Sequence, residues 1–388
     1  MPLEATNARQ PAIFLNGIAY RLRFRTHNRN CLYRRLIHIR SGDVSGISRA
    51  YTALGAPSQQ TIFQRRTPSL HWRRHQWQSG FKLNSALATA LVPDLRQRIA
   101  DFVSVASTEI TPHDESLVPA LAAALPGGAT VYVAHTPKSS LDDVVRVSLE
   151  LERRGLSASP HIVARRLQSE SMLTEALGTL RAAGVNQVLC VAGDRETPAG
   201  PFASTLDIID SGALTEARLA RVGFAGHPEG HPAVNGRLLW DALRRKQEFA
   251  DRAGIAVHIA TQFGFDADAI AGWVQELNVA GIHLPVHVGI AGPTSLTKLL
   301  RFAVQCGVKT SLQTALKSPS SVGGLMGMKA TPGEMAPALV RLGAGEQTSQ
   351  IIKPHIFTFG GALASAQWIR AVSEGRFDLL RDGSIETK

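Results

Sequence analysis

Short apolar runs alternate with amphipathic segments from about residue 100 to the end of the sequence. The apolar runs predict strands at 102–109, 129–134, 160–164, 187–192, 221–225, 256–262, 281–288 and 351–358. The segments between them predict helices; within 140–155, for example, Leu141, Val144 and Val145 recur at helical spacing. A strict alternation of strand and helix predicts parallel strands joined by right-handed crossovers.

The number of repeats narrows the fold class. Eight strand-then-helix units in about 280 residues match the repeat count of a (β/α)8 barrel, which we predict for residues 100–380. An open, doubly wound sheet has the same alternation and is the alternative that the pattern leaves open.

The net charge of +11 belongs to one end of the chain. Residues 1–90 contain 13 Arg and one Lys against Glu4 and Asp43, whereas the remaining residues carry 28 basic and 29 acidic groups. Residues 1–95 also show no sustained helical or strand period. We therefore predict a basic extension that is disordered or an over-extended gene start, with a transit peptide or a polyanion-binding arm as alternatives. Nucleic-acid binding is not expected of the folded body.

Composition excludes several other classes. No run of about 18 apolar residues exists, so no membrane span is expected, and the N-terminus lacks an apolar signal core. Cys31, Cys190 and Cys306 are far apart and form neither a metal-binding pattern nor a disulfide framework. These features predict a cytoplasmic protein.

Polar side chains gather where the predicted strands end, which is where a (β/α)8 barrel places its chemistry. They are Glu109, His135, His161, Asp194, His227, Glu229, His231, Gln262 and His287. Any one of them is most simply a solvated loop residue, but several strands deliver hydrogen-bonding side chains to one rim. The set therefore predicts an active site at this rim.

Two kinds of site are not expected there. His227 and His231 have a spacing that could suit a metal, but Pro228 and Pro232 interrupt helical geometry, so we predict no metal site. No glycine-rich dinucleotide fingerprint or phosphate loop follows a strand, so a separate nucleotide-binding domain is not expected.

Five short stretches on consecutive units carry a family resemblance. They are Thr108–Pro112, Ser159–Ile162, Ala192–Asp194, His227–Pro232 and Thr261–Phe265. In order and approximate spacing they resemble the methylenetetrahydrofolate reductase family over roughly residues 102–375. The resemblance implies an oxidoreductase of one-carbon metabolism that interconverts 5,10-methylenetetrahydrofolate and 5-methyltetrahydrofolate with NADH or NADPH and bound FAD. It leaves open the direction of the reaction, which would serve methionine supply or methyl-group catabolism, and whether the protein is a homo-oligomer.

The resemblance also implies roles for individual residues. Glu109 would be the general acid, Asp194 would lie near the flavin and the pterin, and Gln262 and Phe302 would contact the substrates. Cofactor contacts would come from His135, His161, Asp194, Ser204, His227, His231, Lys246 and Lys298.

The sequence departs from the family pattern on the flavin side. Ala192 and Gly361 stand where family members usually have arginines, and Ala134, His227 and Lys298 replace other family residues. We therefore expect FAD to be held less tightly, or the chain to belong to a flavin-free branch. A folate-dependent methyltransferase with a barrel fold and a non-catalytic folate- or flavin-binding protein are the alternative functions.

Overall fold

The computed structural model describes residues 94–295, 298–299, 301–302, 332–346 and 349–388, and the backbone at 12–15, 18–21 and 329–330. The chain divides into two compact units, Met1–Gly80 and Phe81–Lys388. The first contains an antiparallel hairpin of β1 (Ala12–Leu15) and β2 (Ile18–Arg21), where periodicity predicts no regular element. The remainder of the predicted disordered extension lies outside the described residues.

Eight parallel strands of the second unit close into a barrel in the order β12-β3-β4-β5-β6-β7-β8-β9. In chain order, the strands of both units are β1 (Ala12–Leu15), β2 (Ile18–Arg21), β3 (Ser107–Ile110), β4 (Thr130–Val133), β5 (Ser157–Val163), β6 (Gln187–Val191), β7 (Arg221–Gly226), β8 (Ala256–Gly264), β9 (Val286–Ala291), β10 (Thr294–Ser295), β11 (Lys329–Ala330), β12 (Ile351–Phe357), β13 (Phe377–Leu379) and β14 (Ile385–Thr387). The closure confirms the predicted (β/α)8 fold and rules out the open sheet.

Helices follow the strands as the alternation predicts. They are α1 (Leu95–Ser104), α2 (Val118–Ala124), α3 (Leu141–Arg153), α4 (Glu170–Ala182), α5 (Thr205–Asp210), α6 (Ala213–Glu216), α7 (Gly236–Ala253), α8 (Ala267–Val279), α9 (Met335–Arg341) and α10 (Ala362–Ser373). Ser140 begins α3 with a capping box, in which the Ser140 hydroxyl accepts from the Asp143 amide at 3.1 Å. None of the described helices is long and apolar enough to cross a membrane.

Two strand predictions are wrong in position. Residues 102–104 end α1, whose buried Ile99, Phe102 and Val103 follow helical rather than alternating spacing, so the strand is only Ser107–Ile110. The strand predicted at 281–288 begins later, at Val286, because the segment from Gly281, which has a φ of 76°, connects α8 to β9. The helical segment predicted between the last two strands, at 289–350, lies partly outside the described residues, and within them Met335–Arg341 is helical.

The alternation of side chains along each strand divides the core into two layers. Residues that point outward, such as Val131, Val188, Val222 and Ile259, are fully buried against the helices. Such a side chain contributes roughly 1.5–3 kcal/mol when buried, so this apolar layer supplies most of the stability.

The inner layer is unusually polar. The fully buried Tyr132 places its hydroxyl 2.9 Å from His258 Nε2 and 3.3 Å from His287 Nδ1, and the two imidazoles stack with centroids 3.9 Å apart. A Cβ on Gly223 would lie 2.5 Å from His258 Nε2, so this position needs glycine. Burial, followed by neighbouring positive charges, lowers the pKa values of His258 and His287 well below their usual range. Burial also lowers the pKa of His161 to about 3.

The polar inner layer predicts a loss of stability in acid. At about pH 7.5 and above, these histidines are mostly neutral in both the folded and the unfolded chain, so the full stability is present. As the pH falls below that value, the unfolded chain takes up protons that the folded barrel refuses. The free energy of unfolding should fall by up to about 1.4 kcal/mol per pH unit for each such histidine.

Urea unfolding between pH 7.5 and 4.5 measures this slope. The slope reports the number of protons taken up on unfolding, and His161→Gln should reduce that number by about one. His113→Gln, at an exposed position, should leave the slope unchanged. A free energy of unfolding that stays flat from pH 6.5 to 4.5 would contradict the assignment.

Candidate active site

Glu109 is the third residue of β3 and faces the barrel interior, because its neighbours Thr108 and Ile110 are buried on the outer side. Its side chain is 18% exposed, and its Oε2 lies 3.9 Å from His355 Nε2. The chain turns immediately after β3, where the Asp114 carboxylate accepts hydrogen bonds from the Thr111 amide and hydroxyl at 2.9 and 2.8 Å. This turn fixes the strand end that carries Glu109.

Sequence reasoning missed the two residues behind Glu109. His355 is buried on β12, opposite Ser107 in the register that closes the barrel, and Ser107 Oγ lies 3.0 Å from His355 Nδ1. With Nδ1 occupied by the serine, Nε2 faces the carboxyl group of Glu109. The count of eight strands was the one indication of this pairing in the sequence, because closure of the barrel makes the eighth strand a neighbour of the first.

Asp194 lies in the loop after β6, with its side chain 67% exposed. Arg166 Nη2 donates to Asp194 Oδ1 at 2.9 Å, and the Arg166 side chain is 12% exposed. This hydrogen bond holds the pKa of Asp194 below its usual value, so the carboxylate stays ionised. Sequence reasoning missed Arg166, which comes from the turn after the neighbouring strand β5.

A cleft of about 470 Å³ adjoins the Asp194–Arg166 pair at the ends of β4, β5 and β6. It is lined by His135, Pro137, Ser139, Ser140, Leu141, Arg166, Gln168, Met172, Asp194 and Arg195. His135 Nε2 lies 3.1 Å from the Ser139 carbonyl oxygen, and burial together with Arg166 lowers the pKa of His135. The predicted residues His135 and Asp194 therefore share one polar cleft.

The other side of the rim is aromatic. Phe263, Phe359, Ala291 and Leu299 form a buried cluster against which Phe265, Phe302 and Phe357 pack. The predicted Phe302 lies 5.0 Å from Phe359 between ring centroids. Gln262 borders the cluster, and its Oε1 accepts from the Phe263 amide at 3.1 Å. In the barrel order, β9 and β12 stand across from β5 and β6, so apolar and polar walls face each other.

The structure places several of the predicted cofactor residues near the strand ends. His227 and His231 meet edge to face with centroids 4.9 Å apart, and burial lowers the pKa of His227 to about 4. Ser204 begins α5, where its hydroxyl accepts from the Leu206 amide at 3.2 Å. His161 lies 6.0 Å from the Tyr132 ring, and its buried Nε2 has no partner among the described residues.

The two predicted lysines are placed differently. Lys246 is 6% exposed and holds its Nζ 5.2 Å from the Phe224 ring centroid, so α7 presses it against the barrel wall. Burial lowers the pKa of Lys246 to about 8. Lys298 is exposed, and its Nζ lies 4.0 Å from where a Cβ would stand on Gly360. The structure therefore brings Lys298, but not Lys246, to a surface that a ligand can reach.

The residues present do not fit the flavin-binding positions that the family resemblance implies. Ala192 has no charged group, and a Cβ on Gly361 would lie 2.9 Å from the Pro293 carbonyl oxygen, so the backbone excludes an arginine there. Lys246 is enclosed by the wall. Within the described ranges, no group of three or more His, Cys, Asp or Glu side chains could hold a metal ion.

Comparison with solved structures adds no argument about function. Triosephosphate isomerase from Bartonella henselae is 12% identical, with 69% of this chain and 98% of that chain covered, at a TM-score of 0.40. Likeness at this level describes neither the site nor its ligands.

Comparison with sequences is more informative. The family model described as methylenetetrahydrofolate reductase matches residues 129–318. Methylenetetrahydrofolate reductase 2 of Saccharomyces cerevisiae is 26% identical over 156 residues, which cover 38% of this chain and 26% of that protein. Methylenetetrahydrofolate reductase (NADH) 1 of Arabidopsis thaliana is 25% identical over 198 residues, 47% of this chain and 31% of that protein. The match thus spans less than a third of each relative. Residues 129–318 are therefore the part of this chain that is similar to the methylenetetrahydrofolate reductase family.

Proposed function

We propose that this protein is a folate oxidoreductase that reduces 5,10-methylenetetrahydrofolate to 5-methyltetrahydrofolate with NADH or NADPH as hydride donor. The observation that carries the proposal is Glu109, an inward-facing carboxyl group at the barrel rim with His355 and Ser107 behind it. The match of residues 129–318 to the family model supports a folate as substrate. The same site would serve the reverse reaction, and the concentrations of the ligands would set the direction.

Glu109 supplies the proton for the first step. The five-membered ring of the substrate opens when a folate nitrogen is protonated and its bond to the one-carbon unit breaks. The carboxylic acid of Glu109 gives that proton and leaves a reactive iminium cation on the folate. His355, held by Ser107, stands where it can orient Glu109 and hydrogen-bond to the resulting carboxylate.

The second step adds hydride from the nicotinamide to the iminium carbon. Asp194, kept ionised by Arg166, provides a negative charge near the rim that favours the cationic folate before hydride arrives. The cluster around Phe302 and Phe359 offers flat apolar surfaces against which the aromatic rings of folate and nicotinamide can pack. The two walls thus separate charge stabilisation from ring packing.

Glu109→Gln should nearly abolish folate reduction, because an amide cannot give up the proton that ring opening requires. General acids of this kind contribute roughly 10²–10⁴-fold. The measurement is NAD(P)H oxidation with methylenetetrahydrofolate, together with the affinity of the protein for NAD(P)H, which should be unchanged.

Glu276→Gln, an exposed substitution on α8, is the matched control and should keep wild-type turnover. A Glu109→Gln variant that retains more than about a tenth of folate turnover would sink the assigned role. Folate binding without turnover by the wild-type protein would instead favour the non-catalytic folate-binding alternative.

Purified protein should carry substoichiometric FAD or none, because the rim lacks the arginines that the family resemblance leads one to expect. Each missing charge-assisted contact costs roughly 1.5–3 kcal/mol, or about one to two decades in affinity. The visible absorbance spectrum before and after dialysis measures the occupancy.

Ala192→Arg tests the cause, since residue 192 is exposed and can accept the longer side chain. It should raise the affinity for added FAD by roughly tenfold or more, as one restored contact predicts. Stoichiometric flavin that survives dialysis of the wild-type protein would show that other residues hold it.

A further inference from the structure

Four basic side chains meet inside the barrel at the end opposite the proposed active site. Arg221 begins β7, Lys353 is the third residue of β12, and His258 and His287 lie near the starts of β8 and β9. We call Arg221, His258, His287 and Lys353 the barrel floor.

The strand register shows that these side chains share the interior. Lys353 is two residues before the inward-facing His355, so it faces the same way, and it pairs with His287 across the strands. Arg221 is likewise two residues before Gly223, which pairs with His258 and lies against its ring. The floor is therefore one layer of the barrel interior, with Arg221 at its solvent-exposed edge.

In the described part of the chain, the two cations of the floor have no counter-ion. Lys353 is 9% exposed, and no ion pair or hydrogen bond joins the side chain of Lys353 or Arg221 to another described residue. The buried Nδ1 of His258 also has no partner in the described part of the chain. Glu109, which contacts His355, lies further along the barrel at the end of β3.

The electrostatic surroundings are uniformly positive. Burial, followed by the charge of Arg221, lowers the pKa of Lys353 to about 8, so the amine is still mostly protonated at neutral pH. Burial, followed by Lys353 and Arg221 among other cations, lowers the pKa of His258. Among the described residues, no carboxylate contributes to either pKa shift, so positive charge gathers at the floor.

We propose that the barrel floor binds a small inorganic anion, such as chloride or phosphate. A buried, unpaired ammonium is costly, and an anion between Lys353 and Arg221 would neutralise it while accepting from the free imidazole nitrogen if that nitrogen carries the proton. A water molecule could serve the imidazole but would leave the charge uncompensated. Arg221 is exposed at the start of β7, which gives the anion a path from solvent that avoids the rim.

Thermal unfolding of the full chain at pH 7 and constant ionic strength tests the proposal. Sodium chloride or sodium phosphate replaces sodium gluconate, whose bulky organic anion serves as the reference. The melting temperature should rise and then saturate, by roughly 5–10 °C at 100 times the dissociation constant.

The melting temperature of Lys353→Met should no longer show the saturable rise with added anion, because the substitution removes the buried charge and keeps a similar volume. Lys138→Met, at an exposed position, should keep it. If Lys353→Met does not fold, Arg221→Gln, at the exposed edge of the floor, is the second test. It should raise the half-saturating anion concentration at least tenfold. The proposal is overturned if wild-type protein melts alike in all three salts, or if wild type and the floor variants respond identically.

Discussion

Closure of the barrel between β12 and β3 is the constraint on which the rest of this structure depends. It brings together residues 248 positions apart, and Ser107 lies beside His355 only because the first and last barrel strands pair there. Glu109 acquires its imidazole neighbour by the same pairing. The surroundings of the proposed proton donor are therefore built by long-range strand pairing rather than by any local motif.

Closure also creates an interior with its own chemistry. The apolar layer between strands and helices supplies the burial that stabilises the fold, which leaves the inner layer free to be polar. Tyr132 and the imidazoles of His258 and His287 fill that space with hydrogen bonds and ring contacts. Polar groups in such a core are costly unless they are paired, so this layer links stability to pH and to the ions that enter the floor.

The rim combines rigid turns with a strained segment. Gly193, with a φ of 93°, has no room for a Cβ, which would lie 2.5 Å from Val163 Cγ1, and this turn sets the position of Asp194. Phe359 adopts a φ of 48°, a left-handed conformation that costs a non-glycine residue roughly 1–2 kcal/mol. Packing against Phe302 and Phe263 offsets that cost. Strain held by packing is typical of binding surfaces.

The sequence by itself determined the strand–helix alternation, the (β/α)8 count and the positions of Glu109 and Asp194 at strand ends, because these are local properties of hydrophobic period and turn residues. It misplaced His287, since a few residues of strand shift move a side chain from the rim into the core. Only the tertiary structure decided that His355 and Arg166 stand beside the two carboxylates and that Lys246 is enclosed. Those outcomes depend on which strands become neighbours and which face packs on a helix, and no local pattern carries that information.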